Sequence, residues 1–165
     1  MQEPVLHGVL SQEASKAEHP QNPPYFPLQF TKCHTDGNDF IIIDSSSLTS
    51  SQHLQPHVLA RKTCDRSTGI NGDGLLLVSM ETIATNEVIV NLWNSDGSAA
   101  EISGNGTYCV AAFVMWKSSL INNSGFVACT RAGRRKVRFV KRIGNKFHFV
   151  IKMSIPIVER ACEEI

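Results

Sequence analysis

Apolar and polar positions fall into three kinds of run along this chain, and each kind predicts a different element. Alternating residues from Leu28 to Cys33, from 136 to 140 and from 146 to 153 suit strands with one face buried. Short apolar blocks, Phe40–Asp44, Leu75–Met80 and Asn86–Trp93, have the length and β-branched content of strands buried in a sheet. Phe126–Thr130 opens a last set of strands, and Ile143-Gly144-Asn145 supplies the turn between its final two members. The third kind of run is Thr107–Trp116, apolar at nearly every position. A helix apolar on all sides cannot lie on a surface and must be wrapped by other structure. A shorter helix is predicted over His57–Cys64, with Pro56 at its start and Val58, Leu59 and Lys62 at helical spacing.

Polar turns punctuate these runs. His34–Asp39 lies between two strands and puts Asn38 at the mouth of a sheet, and Ser45–Ser51 is a loop of small polar residues. Asn94-Ser95-Asp96-Gly97-Ser98 follows a strand directly, and Ser103-Gly104-Asn105-Gly106 opens the long helix. Two polar turns on either side of so short a link should meet in space. The glycines permit close backbone approach where unpaired N–H groups and the positive end of the helix dipole face outward, a ready site for a carboxylate or phosphate. Such a turn is more often plain architecture than a ligand cradle, so the neighbouring Asn94 turn is what raises the functional reading. The loop Gly69-Ile70-Asn71-Gly72-Asp73-Gly74 precedes a strand instead of a helix and so fails the context of a dinucleotide fingerprint.

Composition adds limits. With 165 residues, 42% hydrophobic, 19% charged and a net charge of +1, the chain can bury one core, and its charge argues for neither nucleic acid nor membrane. No apolar run is long enough to span a bilayer. The five cysteines are odd in number and include no C-x-x-C pair, which disfavours a disulfide framework and a zinc site and suits a reducing cytoplasm. Residues 1–27, with scattered acids, histidines and four prolines between Pro20 and Pro27, read as a disordered or loosely docked tail before a globular part spanning 28–157. Every charged residue from Arg131 to Lys152 is basic, and the alternation with apolar residues favours a solvated outer face over a nucleic-acid strip. Pro156 and the charged stretch Glu159–Glu164 read as an exit or linker.

Three segments together resemble the N-terminal half of the diaminopimelate epimerase family: Gly37-Asn38-Asp39-Phe40, the loop from Gly69 to Leu75, and the long motif from Asn94 to Cys109. The resemblance runs from Leu28 to about Ile157. It implies an α+β domain, a mostly antiparallel sheet curled as a barrel around a central buried helix, paired with a second such domain across an active site. It implies cofactor-independent inversion of an α-carbon of diaminopimelate, a small-molecule amino acid, in lysine biosynthesis. Substrate contacts then fall on Asn38, Asn94, Gly104 and Asn105, with the asparagines bonding charged groups and the backbone at Gly104 and Asn105 holding a carboxylate. The family's glutamine at the position of Gly74 has no counterpart here.

Two departures accompany the resemblance. Inversion without a cofactor needs a proton donor and a proton acceptor on opposite faces of the carbon, and the family takes one cysteine from each domain. Ser103 stands at the position of the first. A thiol of pKa about 8.5 gives a usable thiolate, whereas a serine hydroxyl needs a neighbouring base. Cys109, inside the apolar helix, reads as core. The second domain does not follow, so 158–165 would lead toward it, and the other half of the site would come from a second epimerase-like domain or from a second copy in a homodimer. A non-catalytic amino-acid-binding domain, or a structural remnant of the fold, is the competing expectation.

Overall fold

The computed structural model describes residues 5–7, 28–48, 55–118, 125–144 and 146–153. Its strands are β1 (Val5–His7), β2 (Thr31–Thr35), β3 (Asn38–Asp44), β4 (Gly74–Ser79), β5 (Glu87–Asn94), β6 (Ala99–Ala100), β7 (Phe126–Thr130), β8 (Gly133–Ile143) and β9 (Lys146–Lys152). Among the described residues, two helices, α1 (Pro56–Cys64) and α2 (Gly104–Lys117), complete the regular structure apart from short 3-10 turns. The strands form one sheet in the order β4-β3-β2-β1-β9-β8-β7-β5-β6, and a β4–β5 pairing closes it on itself. Only β3–β4 and β5–β7 are parallel; the other pairs run antiparallel.

Closure explains the long apolar helix. Val110, Ala111, Ala112 and Val114 of α2 are fully buried, and around them stand inward-facing Phe40 and Ile42 of β3, Leu76 and Val78 of β4, and Val88 and Val90 of β5. The alternate residues of the same strands, Ile41, Ile43, Leu75, Leu77 and Trp93, form a second cluster with Leu59, Ala60 and Cys64 of α1. A strand with apolar partners on both faces reads as a continuous apolar run, which is why β3 and β4 do not alternate. Each isoleucine so buried stabilises the fold by about 1.5–3 kcal/mol.

The ends of α2 are tied to the barrel. At its C-terminal end, Lys117 Nζ donates to Asp44 Oδ2 at 2.9 Å. Asp44 also accepts from the backbone N–H of Ser46 at 3.0 Å and so starts the 3-10 turn Ser45–Ser47. The cation lies where the helix dipole favours it.

Several boundaries differ from the sequence pattern. The pattern starts the first strand at Leu28, but β2 begins at Thr31, and Leu28 and Phe30 pack against the outer cluster instead. β8 is longer than the alternating stretch 136–140 because it continues to the Arg131-Ala132 turn at one end and to Gly144 at the other. β1 lies within the stretch read as a tail. It pairs with β2 through Val5↔His34, Leu6↔Cys33 and His7↔Lys32, and with β9 through Val5↔Lys146, where two strands would otherwise have open edges. Three residues are too few to show an alternation. The rest of that stretch, residues 49–54 of the serine-rich loop region, 119–124 of the turn after α2, and 158–165 of the exit segment lie outside the described residues.

Candidate active site

One rim of the barrel gathers the polar turns. Register places Phe40 beside Gly74 and Gly74 beside Asn94, so the starts of β3 and β4 and the end of β5 share that rim. Helix α2 begins there too, since a Cβ on Gly106 would stand 3.6 Å from the Phe40 ring. Asp36 and Gly37 both take positive φ, 47° and 83°, which makes the tight hairpin turn that delivers Asn38 as the first residue of β3.

Side-chain bonds link three of these elements. Asn105 Nδ2 donates to Asn38 Oδ1 at 2.7 Å, and Asn38 Nδ2 donates to Asp73 Oδ2 at 3.1 Å. Asp73 Oδ2 also accepts from the Asp39 N–H at 3.1 Å, and its Oδ1 pairs with Arg66 Nη2 at 3.2 Å. Desolvation raises the Asp73 carboxyl, but the bonds from Asn38 and Asp39 and the Arg66 charge outweigh it and hold it below the usual carboxylate range. An ionised carboxylate only accepts hydrogen bonds. It therefore turns the Asn38 amide so that Nδ2 faces Asp73 and Oδ1 faces the helix, which in turn orients Asn105. The sequence reading named Asp73 only as part of a loop; its position one residue before a strand parallel to β3 was the available signal.

Ser103 is the N-cap of α2. Its Oγ accepts from the Gly106 N–H at 3.0 Å, and its carbonyl accepts from the Thr107 N–H at 2.9 Å. The first N–H groups of a helix have no acceptor within it. Ser103 takes up those of Gly106 and Thr107, leaving Gly104 and Asn105 to present theirs at the rim. Gly104 is exposed, and a Cβ added to it would meet nothing within 4 Å. Among the described residues, no carboxylate or imidazole is hydrogen-bonded to Ser103 Oγ. Cys109 sits in the core at 0% exposure, where the Cys33 thiol beside it and burial together push its own thiol up, away from the thiolate.

Asn94 shares the rim without joining that chain of bonds. Its Nδ2 donates to Ser98 Oγ at 2.9 Å, and Ser98 Oγ donates to Asp96 Oδ1 at 2.6 Å. Gly97, at φ +85°, lets this turn lie against α1, where any Cβ would stand 2.6 Å from the His57 carbonyl. The structure thus joins Asn38 to Asn105 directly, sets Ser103 and Gly104 beside Asn105 in the chain, and holds Asn94 in its own braced turn.

Among the described residues no cluster of metal-ligating side chains occurs, and no helix is long and apolar enough to cross a membrane. Solved chains share this fold. A phenazine biosynthesis protein of the PhzF family from Bacillus anthracis superposes over 74% of this chain and 38% of its own, with a TM-score of 0.51 and 14% identity. A hydroxyproline epimerase from Agrobacterium vitis superposes over 90% of this chain and 50% of its own, with a TM-score of 0.53 and 10% identity. These likenesses define the fold class. Sequence narrows it: a family model described as diaminopimelate epimerase matches residues 30–154. The diaminopimelate epimerase of Caldanaerobacter subterraneus subsp. tengcongensis is 38% identical over 132 residues, 80% of this chain and 45% of its own length. That of Corynebacterium glutamicum is 35% identical over 137 residues, 79% of this chain and 48% of its own. The chain belongs to the diaminopimelate epimerase family, and it spans about half the length of these relatives.

Proposed function

We propose that this chain is an amino-acid epimerase domain of the diaminopimelate type that holds one half of an active site. The N–H groups of Gly104 and Asn105, at the positive end of α2, receive a substrate carboxylate. Asn38, held by Asp73, and Asn94, held by its turn, hydrogen-bond the charged groups of the amino acid. Ser103 faces the α-carbon from the position where a thiolate would take or return the proton. The second proton-transfer group and the clamp on the distal end of the substrate come from a second epimerase-like domain or a second copy of the chain. No cofactor enters this scheme, in which a proton leaves one face of the carbon and another arrives on the opposite face. The observation that carries the reading is the Asn105–Asn38–Asp73 chain at the start of a fully wrapped helix.

A second reading, a non-catalytic amino-acid-binding domain or a structural remnant, draws support from Ser103 itself. Its hydroxyl oxygen is committed to capping, and no described base is bonded to it. The two readings separate in heavy water. The purified chain is incubated with LL-diaminopimelate in deuterated buffer, beside a form joined to a complete second domain and carrying Ser103→Cys. The epimerase reading expects deuterium in ligand recovered from the joined Ser103→Cys form, and binding weakened about tenfold by Asn105→Ala. An inert joined form that still binds diaminopimelate leaves the binding domain; one that neither binds nor exchanges leaves the structural remnant.

A further inference from the structure

At the barrel end away from the helix start, the outer wall carries a cavity of about 410 Å³. Its cationic lining is Lys136 and Arg138 of β8 and Lys152 of β9, beside Gly125, Val127 and Val150. Lys136 and Lys152 are direct cross-strand partners, and Arg138 follows Lys136 by two residues on the same face, opposite Val150. Direct antiparallel partners stand about 5 Å apart, and the same-face neighbour about 7 Å further along the strand. Like charges directly opposite one another destabilise a sheet. Among the described residues none of the three is in an ion pair. Glu87, the acid nearest in register through Val127, is already paired with Arg134.

The cavity is shaped by backbone as well as charge. Gly125, at φ +96°, is packed so closely that an added Cβ would collide with the Val137 carbonyl, so no side chain fills the hollow from that side. Val127 and the half-exposed Val150 give it an apolar wall. Three cations lining one hollow, one with the planar fork that grips phosphate oxygens, against an apolar wall and within the volume range of small-ligand sites, are a recognisable ligand chemistry.

We propose that this cavity binds a small phosphate-bearing ligand with at least two negative charges, such as a pyrophosphate or nucleoside diphosphate. The anion relieves the Lys136–Lys152 repulsion that the empty sheet carries, and Arg138 fixes its orientation. The site is independent of the epimerase reading, because it lies at the opposite end of the barrel and uses none of its residues.

The test is calorimetric titration of the purified chain with inorganic pyrophosphate and, separately, with ADP, at about 50 mM salt so that screening is modest. The expected result is saturable one-to-one binding of both probes, weakened about tenfold or more by the Lys136→Gln, Lys152→Gln pair and left within about twofold by Lys141→Gln, which removes a charge of β8 outside the cavity. Pyrophosphate should also raise the melting temperature of the unaltered chain more than sodium chloride of equal ionic strength, a measurement that needs no variant. Absence of both saturable heat and a melting shift overturns the proposal. So does equal weakening by Lys141→Gln, which would reduce the site to diffuse attraction by a basic strip. Binding of a single-stranded oligonucleotide with many-fold higher affinity than either small probe would also overturn it, in favour of a nucleic-acid face.

Discussion

The two sides of the barrel wall are built differently. In β3 and β4 both faces are apolar, one turned to α2 and the other covered by α1, and β5 adds Trp93 to the covered side. In β8 and β9 only the inner face is apolar; Phe147 and Phe149 stack inward at 6.2 Å between ring centroids, while Lys136, Arg138, Val150 and Lys152 remain outside. The difference lies in what each side has to cover it. The crossover between the parallel strands β3 and β4 carries a helix, and that helix lands on the outer face. β8 and β9 are joined by a hairpin turn, which brings no covering layer. A single sheet thus has a fully buried half and a half that presents charge to the solvent.

The comparison predicts a steep contrast for matched truncations. Ile43→Ala, on the covered outer face at 0% exposure, should cost about 2–5 kcal/mol in urea unfolding. Val150→Ala, on the bare outer face at 48% exposure, should cost no more than about 0.5 kcal/mol. Equal costs would mean that the outer face of β8–β9 is covered too.

Next in size is the acid sensitivity of the covered side. Burial alone raises the Asp44 carboxyl, and the bonds from Lys117 and Ser46 outweigh it, so it titrates below the usual carboxylate range. A lowered folded pKa adds stability that is complete above the unfolded value of about 3.9 and is lost as pH falls through the folded value. Asp44→Asn should therefore cost about 1–3 kcal/mol at neutral pH and flatten the loss of stability below about pH 4. Thermal melts from pH 7 to pH 2.5 check both parts, and an unchanged acid slope would remove Asp44 from the account.

The smallest expected effect is at the cap. Ser103→Ala should lower stability by about 0.5–2 kcal/mol, because the Gly106 N–H loses its acceptor at the start of α2. Ser103→Gly should recover most of that loss, since glycine caps well without a side chain.

Legibility in the sequence followed the same division. The alternating pattern of β8 and β9 and the all-apolar block of α2 announced their elements, and the wrapped helix announced a closed surround. Which strands close the barrel was hidden, because the β4–β5 pairing and β1 leave no local pattern. At the site, Ser103, Gly104 and Asn105 were legible as a helix start, and Asn38 as a residue at a strand mouth. The bond between Asn105 and Asn38 spans 67 positions, and that between Asn38 and Asp73 spans 35. Contacts of that range are set by the register of distant strands, which no window of sequence contains.

The pairing of Val5 with Lys146 has a consequence for how the molecule is made. It joins nearly opposite ends of the described chain, so the circle cannot be completed until β9 has left the ribosome. Until then the growing polypeptide carries free strand edges at β1 and β8, the geometry that invites pairing with a neighbour. Closing so long a loop is slow. Newly made chains thus pass through a period of vulnerability that ends with the arrival of β9, and crowded or overproducing cells should lose them to aggregation at that stage.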